Sequence, residues 1–321
     1  MSISNIAVRV ARKSLEAVDI CSYELVTVDG KDLPTFSAGS HIDVLLPNGI
    51  TRQYSLCNDP MESHRYHIAV LKDAATRGGS QAMHEAVQQG DILQISAPKN
   101  HFPLVHEADN SLLLAGGIGV TPILCMAQRL AISGVSFEMH YCARSKERMA
   151  FHQRISGATF ADKVSFHFDD GAPDQKLDMV ALLAKPKAGT HLYVCGPKGF
   201  MDAALRIARA AGWPEQQLHY EFFSAEVIHL DNDGSFDVQL ASSGKIVRVA
   251  KDKTVFEALA DAGVQIETSC EQGVCGTCLT RVLQGTPDHR DSFMTPQEHA
   301  LNDQFTPCCS RAKSALLVLD L

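Results

Sequence analysis

The chain has 321 residues, 45% of them hydrophobic and 21% charged, and a formal net charge of −8. That length predicts two or three domains rather than one core, and the composition is that of a globular protein. A net negative chain lacks the basic face that phosphate backbones require, so no nucleic-acid partner is expected.

The opening segment MSISNIAVRVARK has no apolar core ahead of a small-residue cleavage site. The most apolar long stretch, residues 111–127, is interrupted by three glycines and a proline and is short for a bilayer span. A cytoplasmic protein without membrane contact is the expectation. Ten cysteines in such a chain read as metal ligands and small core residues, not as a disulfide framework.

Three segments differ in pattern. Up to about residue 103, short alternating runs at 41–46, 66–70 and 91–95 predict antiparallel strands and hence a barrel, with one helical stretch at 80–88. From 111 to 223, apolar strands at 112–115, 137–142, 164–168, 191–195 and 218–222 alternate with helical stretches such as 122–133 and 200–212. This rhythm predicts a parallel sheet with helices on both faces. After a polar, acidic linker come strands at 237–241 and 245–250 and a helix with Thr254 as N-cap and Gly263 as its stop. A cysteine-rich loop and a last apolar strand at 315–321 follow. The expected domains are 1–105, 106–224 and 234–321, with 225–233 as linker.

Cys270, Cys275 and Cys278 have the spacing C-x4-C-x2-C, and Cys308 follows after 29 intervening residues. That is the plant-type [2Fe–2S] pattern. Two irons need four thiolates wrapped by a tight loop, and Gly273 and Gly276 let the backbone turn there. A structural zinc site is the rival reading, but zinc sites usually pair two C-x2-C knuckles and this chain has one. Cys309 adjoins Cys308, and spacing does not separate the two. Cys21, Cys57, Cys125, Cys142 and Cys195 read as small core residues.

Arg52-Gln53-Tyr54-Ser55 ends a barrel-type strand and offers a guanidinium, an aromatic face and a hydroxyl. Arg77-Gly78-Gly79-Ser80 opens a helix and reads as an anion site. Together they could hold a flavin mononucleotide by ring and phosphate. Ala115-Gly116-Gly117-Ile118-Gly119-Val120-Thr121-Pro122 joins a strand to a helix, the context of a dinucleotide pyrophosphate, although the order is not G-x-G-x-x-G. Cys195-Gly196-Pro197 ends a later strand, so both turns can face one crevice. The plain alternative is two glycine turns that only connect elements.

With these segments in hand, the chain resembles the phthalate dioxygenase reductase family over nearly its whole length. The motifs that carry the resemblance are RQYSLCNDP from Arg52, RGGS from Arg77, AGGIGVTP from Ala115, CGP from Cys195, SCEQGVCGTC from Ser269, DHRD from Asp288 and CCSRAKSALLVLDL from Cys308. The resemblance implies an FMN-binding antiparallel barrel, a parallel-sheet NADH-binding domain and a C-terminal β-grasp ferredoxin domain. It implies that Arg52 and Ser80 hold the flavin phosphate, that Tyr54 packs on the ring with Ser55 near its reactive nitrogen, and that Ala69 and Val70 line it. Gln53, Arg77, Gly78, Gly79 and Thr121 belong to the same FMN set. Phe223 matches the aromatic that caps the flavin, and the Ser-Arg pair after the cysteines selects Cys308 as fourth ligand. Gly116, Gly117, Gly119, Ser145, Cys195, Gly196 and Pro197 fall to NADH.

One position departs from the family. Ser145 stands near the place where some members carry an acid for the adenosine ribose, among Arg144, Lys146 and Arg148. An acid there favours NADH and a cation tolerates NADPH. NADH is expected from the family.

The implied function is a reductase component of a Rieske oxygenase. Electrons pass from NADH to FMN, then singly to the [2Fe–2S] cluster and on to the terminal oxygenase, with no side chain as acid or base. A fall of at least about 250 mV separates plant-type clusters from Rieske centres. A transient, polar interface and a monomer are expected. The rivals are the same electron chain serving a non-Rieske acceptor, and a non-enzymatic ferredoxin-like carrier or zinc-stabilised scaffold.

Overall fold

The computed structural model describes residues 6–73, 78–105, 107–223 and 233–321. The chain divides into two compact units, one up to Glu221 and one from Phe222.

The first unit holds two sheets. Strands β1 (Ile6–Ala17), β2 (Ile20–Thr27), β3 (Ser40–Leu45), β4 (Thr51–Ser55), β5 (Tyr66–Leu71), β6 (Ile92–Ile95) and β7 (Lys99–Asn100) form a seven-stranded antiparallel sheet. Its order is β4-β3-β6-β1-β2-β5, with β7 beside β3. The end strands β4 and β5 also touch, which curls the sheet into a barrel. Val8, Val10, Tyr23, Leu25, Ile42, Val44, Ile68 and Val70 alternate inward and fill it. Helix α1 (Gly79–Glu85) follows β5.

Strands β8 (Asn110–Gly116), β9 (Ser136–Ala143), β10 (Val164–Phe168), β11 (Thr190–Cys195) and β12 (Leu218–Glu221) form the second sheet. It is parallel throughout, in the order β10-β9-β8-β11-β12. Helices α2 (Val120–Ser133), α3 (His152–Ser156), α4 (Met179–Leu183) and α5 (Lys198–Ala210) lie between its strands. Central β8 is buried along almost its whole length, as a strand covered on both faces must be.

One apolar core joins the two sheets. Ala17, Ile20, Cys57, Ala69 and Phe102 of the barrel side pack with Leu113, Ile123, Met126, Met139 and Tyr193. Polar bonds fix the same seam. Gln128 Nε2 and Arg154 Nη2 both donate to the Cys57 carbonyl, at 3.1 and 3.2 Å. Arg154 Nη1 donates to His67 Nδ1 at 3.1 Å. Burial, with Arg154 adding to it, pushes the His67 pKa down to about 3, so this imidazole is the neutral acceptor the bond requires.

The second unit is built on β13 (Phe236–Leu240), β14 (Ile246–Val249), β15 (Thr280–Gln284), β17 (Gln304–Phe305) and β19 (Leu316–Leu319), in the order β14-β13-β19-β15-β17. Here β13 and β19 run parallel and the other pairs antiparallel, a mixed β-grasp sheet. A small pair, β16 (Pro287–Asp288) with β18 (Arg311–Ala312), and helices α6 (Val255–Asp261) and α7 (Pro296–Leu301) complete it. Thr254 caps α6 as expected: its hydroxyl accepts from Glu257 N at 3.1 Å, while Glu257 accepts from Thr254 N at 2.8 Å.

Among the described residues, no helix is long and apolar enough to cross a membrane. Cys57, Cys125 and Cys195 are buried, as expected of core residues, whereas Cys21 and Cys142 are only partly so.

Candidate functional site

In the first unit, β4 and the start of α1 converge. Arg52 lies across the first turn of α1 so closely that a Cβ on Gly79 would stand 2.8 Å from its Cγ and 2.9 Å from its Nε. Glycine at 79 is what lets the guanidinium stem approach the helix. Gly78 caps the helix at φ 91°, a left-handed conformation that favours glycine. Ser80 Oγ accepts from Asp73 N at 3.1 Å. Arg77 lies outside the described residues.

Along β4, Gln53 Nε2 donates to Asp43 Oδ1 at 3.0 Å, and Lys99 neutralises that carboxylate at 2.7 Å. Burial pushes the Tyr54 phenol pKa up, so the ring stays neutral. Ala69 and Val70 on β5 are 5% and 2% exposed, and the Val70 carbonyl is 2.8 Å from His84 Nε2 of α1. The strand pair therefore presents a cation, a hydroxyl and an aromatic ring on neighbouring elements, a set that fits a flavin mononucleotide.

The nicotinamide-type turns meet backbone to backbone. A Cβ on Gly119, at the turn from β8 into α2, would stand 2.3 Å from the Cys195 carbonyl oxygen at the end of β11. A Cβ on Gly196 would stand 3.0 Å from Gly116 Cα, and one on Gly116 would stand 3.0 Å from Pro197 Cδ. Gly117 takes φ 53°. Thr121 is buried and donates to the Ile118 carbonyl at 3.1 Å, holding the turn. Both turns thus lie at the carboxyl edge of one parallel sheet, where ligands of such sheets bind. Ser145, at the end of β9, is extended, and of its basic neighbours Arg148 is tied to Asp19 at 3.1 Å.

A residue the sequence reading did not single out ties the flavin strand to this edge. Glu221 ends β12, and Ser55 Oγ donates to its Oε2 at 3.3 Å. Cys195 Sγ donates to the Glu221 carbonyl at 3.3 Å. Burial pushes the Glu221 pKa up to about 8, against the opposing pull of the Ser55 hydroxyl, so the carboxyl is largely protonated at neutral pH. The one available signal was an acid ending an apolar parallel strand, at the edge where ligands bind. Phe223 follows two residues later, is the second residue of the second unit and is 36% exposed.

In the second unit, Cys270, Cys275, Cys278 and Cys308 are all buried, 7% exposed or less. The Cys270 thiol lies against those of Cys275 and Cys308, and Cys308 lies against Cys278 and Cys309 as well. The Cys275 and Cys308 thiols beside it draw the Cys270 pKa down, and the Gln272 N–H, 3.3 Å from its sulfur, adds to this. Thr277 N–H donates to Cys275 Sγ at 3.5 Å. The loop closes only with glycine at two places. A Cβ on Gly273, at φ 69°, would stand 2.3 Å from Cys309 Sγ, and one on Gly276, at φ 70°, would stand 2.3 Å from the Phe293 ring. Cys309 lies against Cys308 and has a second partner: its sulfur is 3.2 Å from Thr306 Oγ1. Four gathered thiols with amide donors fit a [2Fe–2S] cluster.

The DHRD and CCSR arginines tie together segments of the second unit outside this loop. Arg290 forks onto Asp233 at 2.8 and 2.5 Å and onto Asp288 at 2.7 Å, with the Arg290 side chain 7% exposed. Arg311 donates to the Lys253, Gly234 and Ala250 carbonyls, at 2.6, 3.0 and 3.2 Å.

Comparison with known proteins decides between the cluster and a zinc site. Residues 238–313 match the model of the 2Fe-2S iron-sulfur cluster binding domain, and residues 96–218 match that of the dimethylamine monooxygenase subunit DmmA-like N-terminal domain. The chain is 58% identical to vanillate O-demethylase oxidoreductase of Pseudomonas putida, over 98% of this chain and 99% of that one. The solved structure of phthalate dioxygenase reductase, described as a modular structure for electron transfer from pyridine nucleotides to [2Fe-2S], superimposes with a TM-score of 0.79. It is 38% identical and covers 99% of this chain and 98% of its own. The chain belongs to the phthalate dioxygenase reductase family. It is an oxidoreductase whose cofactors are FMN, NADH and a [2Fe–2S] cluster. The same architecture recurs in an intact type IV self-sufficient cytochrome P450 monooxygenase, 38% identical with a TM-score of 0.84, of which this chain spans 41%.

Proposed function

We propose that this chain is the NADH-dependent reductase component of a two-component Rieske oxygenase. The observation that carries the reading is the junction of Ser55, Glu221 and Cys195, where the flavin strand meets the edge of the nicotinamide sheet. Bound FMN accepts the two electrons of a hydride together and releases them one at a time.

The chain's own groups position that exchange. Arg52, Arg77 and Ser80 hold the flavin phosphate with Gly78 and Gly79. Gln53, Tyr54, Ser55, Ala69, Val70 and Thr121 hold the ring, and the family resemblance assigns Phe223 to the same FMN set. Gly116, Gly117, Gly119, Cys195, Gly196 and Pro197 hold NADH, and Ser145 stands near its adenosine ribose. Glu221 keeps its proton at Oε1 or Oε2 and fixes the Ser55 hydroxyl without placing a charge beside the ring. Cys270, Cys275, Cys278 and Cys308 ligate the cluster, with Cys309 held aside by Thr306. The working domains are 1–105, 106–224 and 234–321, joined by 225–233.

The partner is the terminal oxygenase, met as a transient encounter by a cytoplasmic monomer that binds neither nucleic acid nor membrane. A second reading, supported by the likeness to the P450 monooxygenase, is the same electron chain serving a haem acceptor. Turnover with separately purified oxygenase and P450 acceptors distinguishes the two.

An anaerobic absorbance spectrum before and after one equivalent of NADH tests the reading. Overlapping flavin and cluster bands that bleach on NADH are expected. A colourless protein that ignores NADH after reconstitution with FMN, iron and sulfide would contradict it and leave the scaffold reading.

A further inference from the structure

The second unit carries another group of ligand-capable side chains, apart from its cluster thiols. His289 and Asp291 follow β16, and His299 stands in the last turn of α7. One ligand-capable atom from each of the three lies within 4.8 Å of the others. Asp291 Oδ1 and His299 Nε2 are 3.1 Å apart. Neighbouring ligands on one tetrahedral cation, at bond lengths of about 2.0–2.2 Å, stand about 3.3–3.6 Å from each other. The carboxylate and imidazole, now joined as a hydrogen bond, need part by only a few tenths of an ångström to reach that spacing. The two imidazoles stack, with ring centroids 4.3 Å apart and planes 18° from parallel.

Their surroundings hold these groups in place. The Asp291 side chain is 0% exposed, and its Oδ2 accepts from Met294 N at 2.8 Å. His289 Nε2 faces Asn302 Oδ1 at 3.3 Å. Asn302 Oδ1 only accepts, so Nε2 carries the hydrogen and the lone pair falls on Nδ1. That Nδ1 is buried and has no hydrogen-bond partner among the described residues. A buried nitrogen with an unused lone pair is costly in a merely structural cluster. Outer partners of the kind that Asn302 gives His289 and Met294 gives Asp291 are usual around metal ligands.

We infer that His289, Asp291 and His299 form a binding site for one divalent transition cation of the zinc class, completed by water. Two imidazoles and one carboxylate suit zinc and its first-row neighbours, not calcium or magnesium. The site adjoins the cluster loop. Ser292 N donates to the Gly273 carbonyl at 3.0 Å, and a Cβ on Gly273 would stand 3.0 Å from Asp291 Cα. An ion held there therefore sits beside the cluster without sharing a ligand with it.

The test titrates the FMN- and cluster-loaded protein with Zn²⁺ against a chromophoric chelator, while iron and acid-labile sulfide are measured in parallel. One Zn²⁺ per chain with micromolar or tighter affinity and no loss of iron is expected. His289→Gln and His299→Gln should each weaken it at least about tenfold, with cluster and flavin absorbance intact. No uptake, uptake only in the millimolar range, uptake matched by loss of iron, or uptake unchanged in both variants would overturn the inference. If one variant loses its cluster, the other and the wild-type stoichiometry still decide.

Discussion

Ser55 Oγ and Glu221 Oε2 lie 3.3 Å apart although 166 positions separate them in the chain. The contact joins the last residue of a barrel strand to the last residue of a parallel strand. It is the point at which the flavin side and the nicotinamide side of the first unit become one site.

The Glu221 carboxyl gives that site a pH signature. Its folded pKa, about 8, is above the ordinary 4.5, so the folded chain holds a proton there that the unfolded chain releases between those values. The associated stability is full below about pH 4.5 and is lost as pH rises toward 8. Glu221→Gln removes this titration. Melting of the loaded protein, followed by flavin fluorescence from pH 5 to 9, should show wild type losing ground to the variant as pH rises. Parallel curves would exclude a buried, protonated Glu221.

Ser55→Ala removes the hydroxyl that Glu221 holds while leaving the strand. A net loss of about 1 kcal/mol, hence roughly fivefold to tenfold slower flavin reduction, is expected in anaerobic stopped flow with NADH. An unchanged rate would take the hydroxyl out of the site.

Gly119→Ala places a methyl group against the Cys195 carbonyl, a backbone atom that cannot rotate away. Overpacking of this kind costs about 1–3 kcal/mol. Thermal melting should report that loss, and KM for NADH should rise as the two turns separate. A variant with wild-type melting and KM would show that the turns do not meet.

The parallel sheet and the cysteine loop were legible in the sequence for a shared reason: their local pattern is forced. Leu112-Leu113-Leu114-Ala115 must be apolar because β8 is covered on both faces, and Gly273 and Gly276 must be glycine because the loop leaves no room for a Cβ. Strands β1 and β2, the longest pair in the barrel, were not singled out. Arg9, Arg12, Lys13 and Glu16 occupy the outward and edge positions of β1 and hide its alternation. Strand β15 was missed because Arg281, Leu283 and Gln284 face outward and only Thr280 and Val282 are buried. Glu221 was not legible because its role lies in a tertiary contact with β4 that no local pattern encodes. Cys308 and Cys309 are alike by spacing, and their thiols lie against each other; what separates them is that Cys308 also lies against Cys270 and Cys278, whereas the Cys309 sulfur also meets Thr306.

That difference gives a paired experiment. Cys309→Ser should retain iron and sulfide at wild-type content, and Cys308→Ser should lose most of both. Retention of a full cluster in Cys308→Ser together with its loss in Cys309→Ser would reverse the ligand assignment.

The electron order is the central claim, and Cys275→Ser tests it most directly. In anaerobic stopped flow with NADH, its flavin should be reduced at close to the wild-type rate, because the first unit is intact. Transfer to a one-electron protein acceptor should then fall to a small fraction of wild type. Unimpaired transfer from a variant without its cluster would contradict the order from nicotinamide to flavin to cluster to partner.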